Sequence, residues 1–348
     1  MLHEPASSLP CPAESIDEFL SRPSPAMIEA AGTLPAPIGV LGAGGKMGLH
    51  VAWMARRALD AAGRPEVPVH GISRFSTLRS REDFERCGIP TMSADLLNPD
   101  DLAGLPDCGT VFYLAGMKFG SADNPEALRQ FNEVMPSMVA ARYRSAVIVG
   151  LSTGCVYPFV TPASGGSTEE DGAEPKGDYA VSCYGRERAF VEASEANRTP
   201  VVLIRLNYSV EFRYGVLVDI AQRVLAGEPI DVTTGYVNVI WQRDAVEHVL
   251  RSAAVAQSPT IPLNVAGVPV VSVRELAERF ARVFGKSVKI VGQEEPTAWL
   301  NNPAKSHSLF GAPEASLDQM IGWVAAWLTA GGGTHGKPTK FENRDGKF

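Results

Sequence analysis

Short apolar runs and longer amphipathic stretches alternate along most of this chain. "PIGVLG" (37–42), "VPVHGISR" (67–74), "TVFYLAG" (110–116), "SAVIVGLST" (145–153) and "PVVLIRLN" (200–207) are brief, rich in β-branched residues and bounded by turn formers, so each predicts a buried strand. Between them, "GLHVAWMARRALDAAG" (48–63), "PEALRQFNEVMPSMVAARY" (125–143) and "YGRERAFVEASEAN" (184–197) have helical periodicity. Strands alternating with helices imply a parallel sheet covered on both faces. The expected fold is therefore α/β: a doubly wound parallel sheet with a smaller C-terminal α/β domain.

Residues 1–36 read as an N-terminal arm with one short helix around "SIDEFLSRP". Residues 37–205 are expected to form the main unit, and residues 206–330 mainly a second one, with some segments returning to the main sheet. This second half predicts helices at "YGVLVDIAQRVLAG", "RDAVEHVLRSAAV" and "VSVRELAERFARVFG", and a strand at "PIDVTTGYVNVI". Residues 331–348 make a Gly-rich, charged tail, either extended over the body or disordered.

Composition narrows the function classes. The net charge is −7, and no basic stretch is long enough to track a phosphate backbone, so nucleic acid is not an expected partner. The five cysteines include no Cys-x-x-Cys pair, and the six histidines show no metal-ligand spacing. No metal is expected. There is no signal-like N-terminus and no apolar run of about 18 residues, so a cytoplasmic protein without membrane contact is expected.

The chemistry begins at "GVLGAGGKMG". Gly42, Gly45 and Gly48 stand at G-x-x-G-x-x-G spacing between a predicted strand and a predicted helix, around Lys46 and Met47. Glycine lets the backbone take turn angles that side chains resist, and lets a pyrophosphate approach the helix N-terminus. The second strand then ends in Ser73 and Arg74 rather than a carboxylate. A hydroxyl and a guanidinium suit a 2′-phosphate, which favours NADP over NAD.

Several motifs in order resemble the extended short-chain dehydrogenase/reductases, the NAD-dependent epimerase/dehydratase family, over about residues 37–328. "GAGGKMG" is similar to TGxxGxxG. "SADLLNPDDL" resembles the segment whose Asp95 and Leu96 would lie near the adenine. "VFYLAG" is similar to VxHxAA, which puts Leu114, Ala115 and Gly116 beside the cofactor, with Tyr113 where the family has histidine. "LSTGCVYP" resembles SSxxVYG and offers Thr153 or Ser152 as the catalytic hydroxyl. "IRLNYSV" resembles RxxNVYGP, with Asn207 near the substrate; Arg205 before it reads as structural. "LNVAGVPVVSVRELAERFARVFG" is similar to the family's C-terminal segment.

"YGRERAFVE" resembles the family's YGxSKxxxE, so Tyr184 takes the acid/base position and Arg188 replaces the lysine. At i and i+4 the two share a helix face. Arginine keeps the charge and can donate to ribose hydroxyls, but it does not release a proton. Tyr179, at the entrance to this helix, is the rival acid/base, and a chain with no catalytic tyrosine is the third alternative. Candidate substrate contacts are Asn207, Arg213, Tyr214 and Gln242. Cys155 and Cys183 read as small packing residues.

The resemblance implies a Rossmann-type fold, with residues 37–205 as the dinucleotide-binding domain and 206–330 mainly as the substrate domain, and an NAD(P)-dependent oxidoreductase or epimerase acting on a sugar, sugar acid or nucleotide sugar. A dehydratase is less favoured, because Gly154 and Cys155 follow Thr153 where that branch has acidic residues. The competing class is a non-catalytic dinucleotide-sensing protein on the same fold. The resemblance also suggests a homodimer through the helices at 125–143 and around 182–196.

Overall fold

The computed structural model describes residues 8–76, 78–117 and 124–346. The first residues of the arm (1–7) and the last two of the tail lie outside it. Seven parallel strands form the central sheet. In chain order the first six are β1 (Ile38–Leu41), β2 (Val69–Ser73), β3 (Thr91–Ser93), β4 (Thr110–Tyr113), β5 (Val147–Thr153) and β6 (Val201–Leu206). The seventh is Ile261–Val265, and the order across the sheet is Ile261–Val265, β6, β5, β4, β1, β2, β3. Strand β1 pairs with both β2 and β4, Ile38 opposite Val69 on one side and Thr110 on the other. The chain reverses its winding direction there, which opens a crevice at the carboxyl ends of β1 and β4.

Adjacent residues of a strand serve opposite faces. Val40 packs with the helices Pro25–Ala31, Gly48–Ala61 and Gln242–Arg251, whereas Leu41 packs with Val111, Tyr113 and the helices Met135–Arg142 and Gly177–Asn197. A separate core lies in the C-terminal half, where helices Val216–Ala226, Val273–Phe284 and Leu317–Thr329 enclose Trp241 and Phe212. Among the described residues no helix is long and apolar enough to cross a membrane.

Strands β3 and Ile261–Val265 and the helix Pro25–Ala31 add to the expected elements, and three further segments differ from the sequence pattern. The helical stretch 125–143 contains a π-helical turn, Gln130–Val134, which turns the polar Asn132 into the protein interior. The strand expected over 229–240 is broken into Pro229–Asp231, Tyr236–Val237 and Ile240–Trp241. Asp231 breaks it by accepting hydrogen bonds from Thr233 N (2.8 Å) and Thr233 Oγ1 (2.6 Å), closing a tight turn. The third difference matters most: the helix expected from Tyr184 starts at Gly177, with Lys176 as its extended N-cap.

The arm and the tail are tied to the body by buried charge. Asp17, on the arm helix Ile16–Leu20, accepts from His50 Nε2 at 2.9 Å, Arg213 Nη2 at 2.6 Å and both Nη atoms of Arg79 at 2.7 and 2.9 Å. Gln242 Nε2 donates to His50 Nδ1 at 2.7 Å, so His50 is the neutral tautomer with its proton on Nε2. Arg213 also pairs with the fully buried Glu211 at 3.2 Å, and His335 of the tail reaches the same carboxylate at 3.2 Å.

Burial works to raise the Asp17 pKa, and the hydrogen bonds from His50, Arg79 and Arg213 outweigh it, holding the carboxyl far below its usual range. Glu211 follows the same balance: burial opposes ionisation, His335 and Arg213 favour it, and the result is about 2. A carboxyl depressed on folding stabilises the native state above its unfolded pKa of about 4, and that contribution is lost as the pH falls. Asp17→Asn should cost about 3 kcal/mol at pH 7, because it strands buried guanidinium groups. Urea unfolding of both proteins checks this: the difference should shrink progressively below about pH 4, where the wild-type carboxylate itself is lost on unfolding.

Candidate active site

A cavity of about 710 Å³ opens at the carboxyl ends of β1, β2, β4, β5 and β6. The glycine loop after β1 forms one wall. Gly42 adopts φ +81°, and a Cβ there would stand 2.5 Å from Ala115 N in the loop after β4. Gly48 opens the helix Gly48–Ala61, and a Cβ on it would strike the Ala43 backbone. The loop is therefore shaped for glycine at both positions, and the free N–H groups of a 14-residue helix follow it. The dimensions and backbone donors fit the phosphates of a dinucleotide.

The residues expected around a cofactor meet here. Gly42, Gly45, Lys46, Met47, Ser73, Arg74, Asp95, Leu96, Leu114, Ala115 and Gly116 all line the cavity, and Gly48 lies directly behind its loop. Arg74 is half exposed, 3.8 Å from Asp95, with its guanidinium over the Phe131 ring at 5.2 Å. Ser152, Thr153, Asn207 and Tyr214 line the cavity too. Ser152 Oγ, however, donates to Glu187 at 2.6 Å. Thr153 Oγ1 accepts from Cys155 N at 3.2 Å, and the residue lines the cavity. Asn207 spends its amide hydrogens on Asn238 Oδ1 (2.8 Å) and Trp299 O (3.3 Å).

Four expected site residues lie outside the cavity lining, each for a physical reason. Arg188 points to solvent with 68% of its side chain exposed, 3.6 Å from Glu192. Tyr184 packs beside Val156, Tyr157 and Cys183, outside the cavity lining. Arg213 is clamped between Asp17 and Glu211, and Gln242 is bound to His50. None of the four is among the residues that line the cavity.

The tyrosine that lines the cavity beside Thr153 is Tyr179, in the first turn of helix Gly177–Asn197. Its helix is rotated by polar contacts rather than by an apolar stripe. Ser182, Arg186, Glu187 and Ser194 all face inward. Glu187 forms a bidentate pair with Arg205 of β6 at 3.0 and 2.7 Å, with only 4% and 8% of the two side chains exposed. Ser182 Oγ accepts from Asn132 Nδ2 at 2.9 Å. Residues 179, 183 and 186 consequently share the inward face, while 184 and 188 do not.

This geometry gives the helix a second motif register. With Tyr179 as the tyrosine of Y-x-x-S-K-x-x-x-E, Ser182 is the serine, Glu187 the glutamate, and Cys183 stands in the lysine place. The sequence thus carried a signal for Ser182 and Glu187 that the later "YG" and Glu192 masked.

Asn132 and Arg186 were not visible as functional candidates. Arg186 is buried and donates through Nη1 to Leu151 O (2.8 Å) and through Nη2 to Asn132 Oδ1. It forms no ion pair with a described carboxylate, and its Nε has no partner among the described residues. Its contacts Leu151 and Gly116 belong to the cavity wall. Burial raises the Tyr179 phenol well above its ordinary pKa, Cys183 and Cys155 add to this, and Arg186 is the opposing charge. Among the described residues no cluster of His, Cys, Asp or Glu could hold a metal.

The model of the NAD dependent epimerase/dehydratase family matches residues 38–267. No curated protein matches the sequence significantly. Among solved structures, the fold is similar to UDP-glucose 4-epimerase from Thermus thermophilus, solved with NAD: TM-score 0.70, 19% identity, covering 84% of this chain and 99% of that one. It is also similar to UDP-glucuronic acid 4-epimerase from Bacillus cereus with NAD (TM-score 0.70, 18% identity, 84% and 98% covered). A third is the dTDP-glucose 4,6-dehydratase DesIV from Streptomyces venezuelae (TM-score 0.70, 17% identity, 84% and 97% covered).

Gly42→Ala should weaken binding of NAD by at least about tenfold, a loss of about 1.4 kcal/mol, because the added methyl displaces the Ala115 backbone. A fluorescence titration checks it, with circular dichroism confirming that the sheet is intact.

Proposed function

The chain belongs to the NAD-dependent epimerase/dehydratase family, and from that premise we propose that it is an NAD(P)-dependent oxidoreductase or epimerase acting at a carbinol or carbonyl carbon of a sugar-like substrate, with Tyr179 as the proton-transfer group. The observation that carries this reading is the convergence of Tyr179 and Thr153 on the cavity that the glycine loop borders. The nicotinamide dinucleotide, when bound, supplies the hydride donor or acceptor. Gly42, Gly45, Met47 and Gly48 would hold its pyrophosphate, and Ser73, Arg74, Asp95 and Leu96 its adenosine half.

The chain's own work is proton transfer and positioning. Thr153 donates its hydroxyl hydrogen to the substrate oxygen and fixes that oxygen near Tyr179. The Tyr179 phenol keeps its proton at neutral pH, because burial has lifted it and Cys183, not a lysine, stands four residues further along the helix. It is therefore poised to donate that proton when a carbonyl is reduced. In the opposite direction it must first be ionised. Arg186, two turns along the same face, is the cation that eases this ionisation, and Asn132 and Leu151 O hold it in place.

For the dinucleotide, Ser73 and Arg74 at the end of β2 support a preference for the 2′-phosphate of NADP. Titration of Arg74→Ala with NADP and NAD tests it: a loss confined to NADP is expected. One observation favours a second reading. Cys183 in the lysine place would suit a dinucleotide-sensing protein without turnover.

Tyr179→Phe decides between the two readings. It should lower turnover by about 10²- to 10⁴-fold while Tyr184→Phe stays within about twofold of wild type. Wild-type reduction should be flat through neutral pH and fall only in alkali, whereas oxidation should rise with pH up to the Tyr179 ionisation. Arg186→Met should move that oxidation limb to higher pH and Arg186→Lys should restore it. Undiminished turnover in Tyr179→Phe would remove this assignment, and no turnover with any sugar despite firm dinucleotide binding would favour the sensing protein.

A further inference from the structure

The C-terminal tail lies along the cavity. After helix Leu317–Thr329 it is held by a series of contacts to the C-terminal half. Trp327 Nε1 donates to Gly333 O at 3.0 Å, and His335 N donates to Arg213 O at 3.0 Å. Thr339 N and Oγ1 donate to Asp219 Oδ2 at 2.7 and 2.6 Å. Phe341 is buried, Glu342 pairs with Arg223 at 2.6 Å, and Arg344 donates to Thr297 O at 2.6 Å. At its far end Gly346 packs on Gly177, two residues before Tyr179. The tail thus runs beside the cavity to the foot of the catalytic helix, and His335, Lys337 and Thr339 face into it.

The charge pattern of the cavity is uneven. Among the described lining residues the carboxylate is Asp95, and Arg74 already faces it at the end of β2. The other end carries Lys46 and Lys337 with no described carboxylate in the lining. Lys46 reaches across from the glycine loop to Ser209 O (3.0 Å), its ammonium 4.4 Å from the centre of the Tyr214 ring. Glu211, behind this wall, is taken up by Arg213 and His335. Lys337 is exposed to the cavity and pairs with no described carboxylate. Asp219, also behind this wall, is taken up by Thr339, so the lining at this end presents two ammonium groups in a chain of net charge −7.

We propose that Lys337 of the tail, with Lys46 opposite, forms a subsite for the carboxylate of a small, non-nucleotide sugar acid. This rests on the reading of the cavity as a dinucleotide-dependent sugar site. A cavity of about 710 Å³ has to take the dinucleotide first, which leaves room only for a small second ligand. With a dinucleotide spanning the end from Gly42 to Asp95, the space left beside Tyr179 and the tail suits a monosaccharide. An ammonium on a flexible stem serves such a carboxylate as a point charge.

The test uses the full chain, first titrated with NAD, NADH, NADP and NADPH, then saturated with the dinucleotide that binds best. Calorimetry follows D-glucuronate, D-glucose and UDP-glucose on wild type, Lys337→Met, Lys337→Arg and the nearby tail variant Lys340→Gln. D-glucuronate should bind at least about tenfold more tightly than D-glucose. Lys337→Met should erase that difference and leave dinucleotide affinity within about twofold. Lys337→Arg should preserve most of it, and Lys340→Gln should not change it. Raised salt should weaken D-glucuronate and not D-glucose.

D-glucuronate binding no more tightly than D-glucose, or equally well to Lys337→Met, overturns the subsite. UDP-glucose binding more tightly than D-glucuronate overturns the assignment to a non-nucleotide acid. Failure of all four dinucleotides on wild type would instead defeat the underlying reading, and the same D-glucuronate titration on unloaded protein would still judge Lys337.

Discussion

The buried ion pair between Glu187 and Arg205 sets the rotation of helix Gly177–Asn197, and the identity of the group facing the cavity follows from that rotation. The carboxylate is held by both guanidinium contacts and by the Ser152 hydroxyl, so three elements, the helix, β5 and β6, are locked in one register. Removing either partner would leave a charge in a nearly dry environment, at a cost of about 3–5 kcal/mol. Turning the helix by about 140°, the angle that separates Tyr184 from Tyr179, would swing Arg188 inward and carry Glu187 away from Arg205. The ion pair therefore selects Tyr179 over Tyr184 without touching either.

A second consequence is the relocation of positive charge. Cys183 occupies the position one turn from Tyr179, and the nearest buried cation is Arg186, packed behind the cavity wall against Asn132. The π-helical turn at Gln130–Val134 brings Asn132 inward to meet it. Such turns recur at functional sites because they aim one side chain out of the regular helical path. Asn132 bonds Arg186, Ser182 and the Met117 backbone together, so the groups behind the cavity act as one network.

Much of the sheet was legible from the sequence because its strands are short, apolar and separated by amphipathic helices. The glycine loop was legible for the same reason: it joins such a strand to such a helix. The rotation of helix Gly177–Asn197 was not. Its inward face mixes Ser182, Arg186, Glu187 and Ser194 with Ala180, Cys183, Ala189 and Phe190, so no continuous apolar stripe reveals the buried face. The motif also occurs in two overlapping registers, and the one with the more obvious "YG" faces away. Arg213 and Gln242 looked free because their partners are remote in sequence: Asp17 lies 196 residues from Arg213, and His50 lies 192 from Gln242. The lining role of the tail was equally hidden, since it depends on Thr339 finding Asp219 across 120 residues.

The central claim is that helix register makes Tyr179 the proton-transfer group. A crystal structure of the chain with NAD or NADP and a sugar acid bound tests this most directly. The account predicts the Tyr179 hydroxyl within about 3 Å of the reacting oxygen, Thr153 on the same oxygen, and Arg188 in solvent. A helix rotated so that Tyr184 makes that contact, with Arg188 near the ribose and the Glu187–Arg205 pair broken, would contradict it.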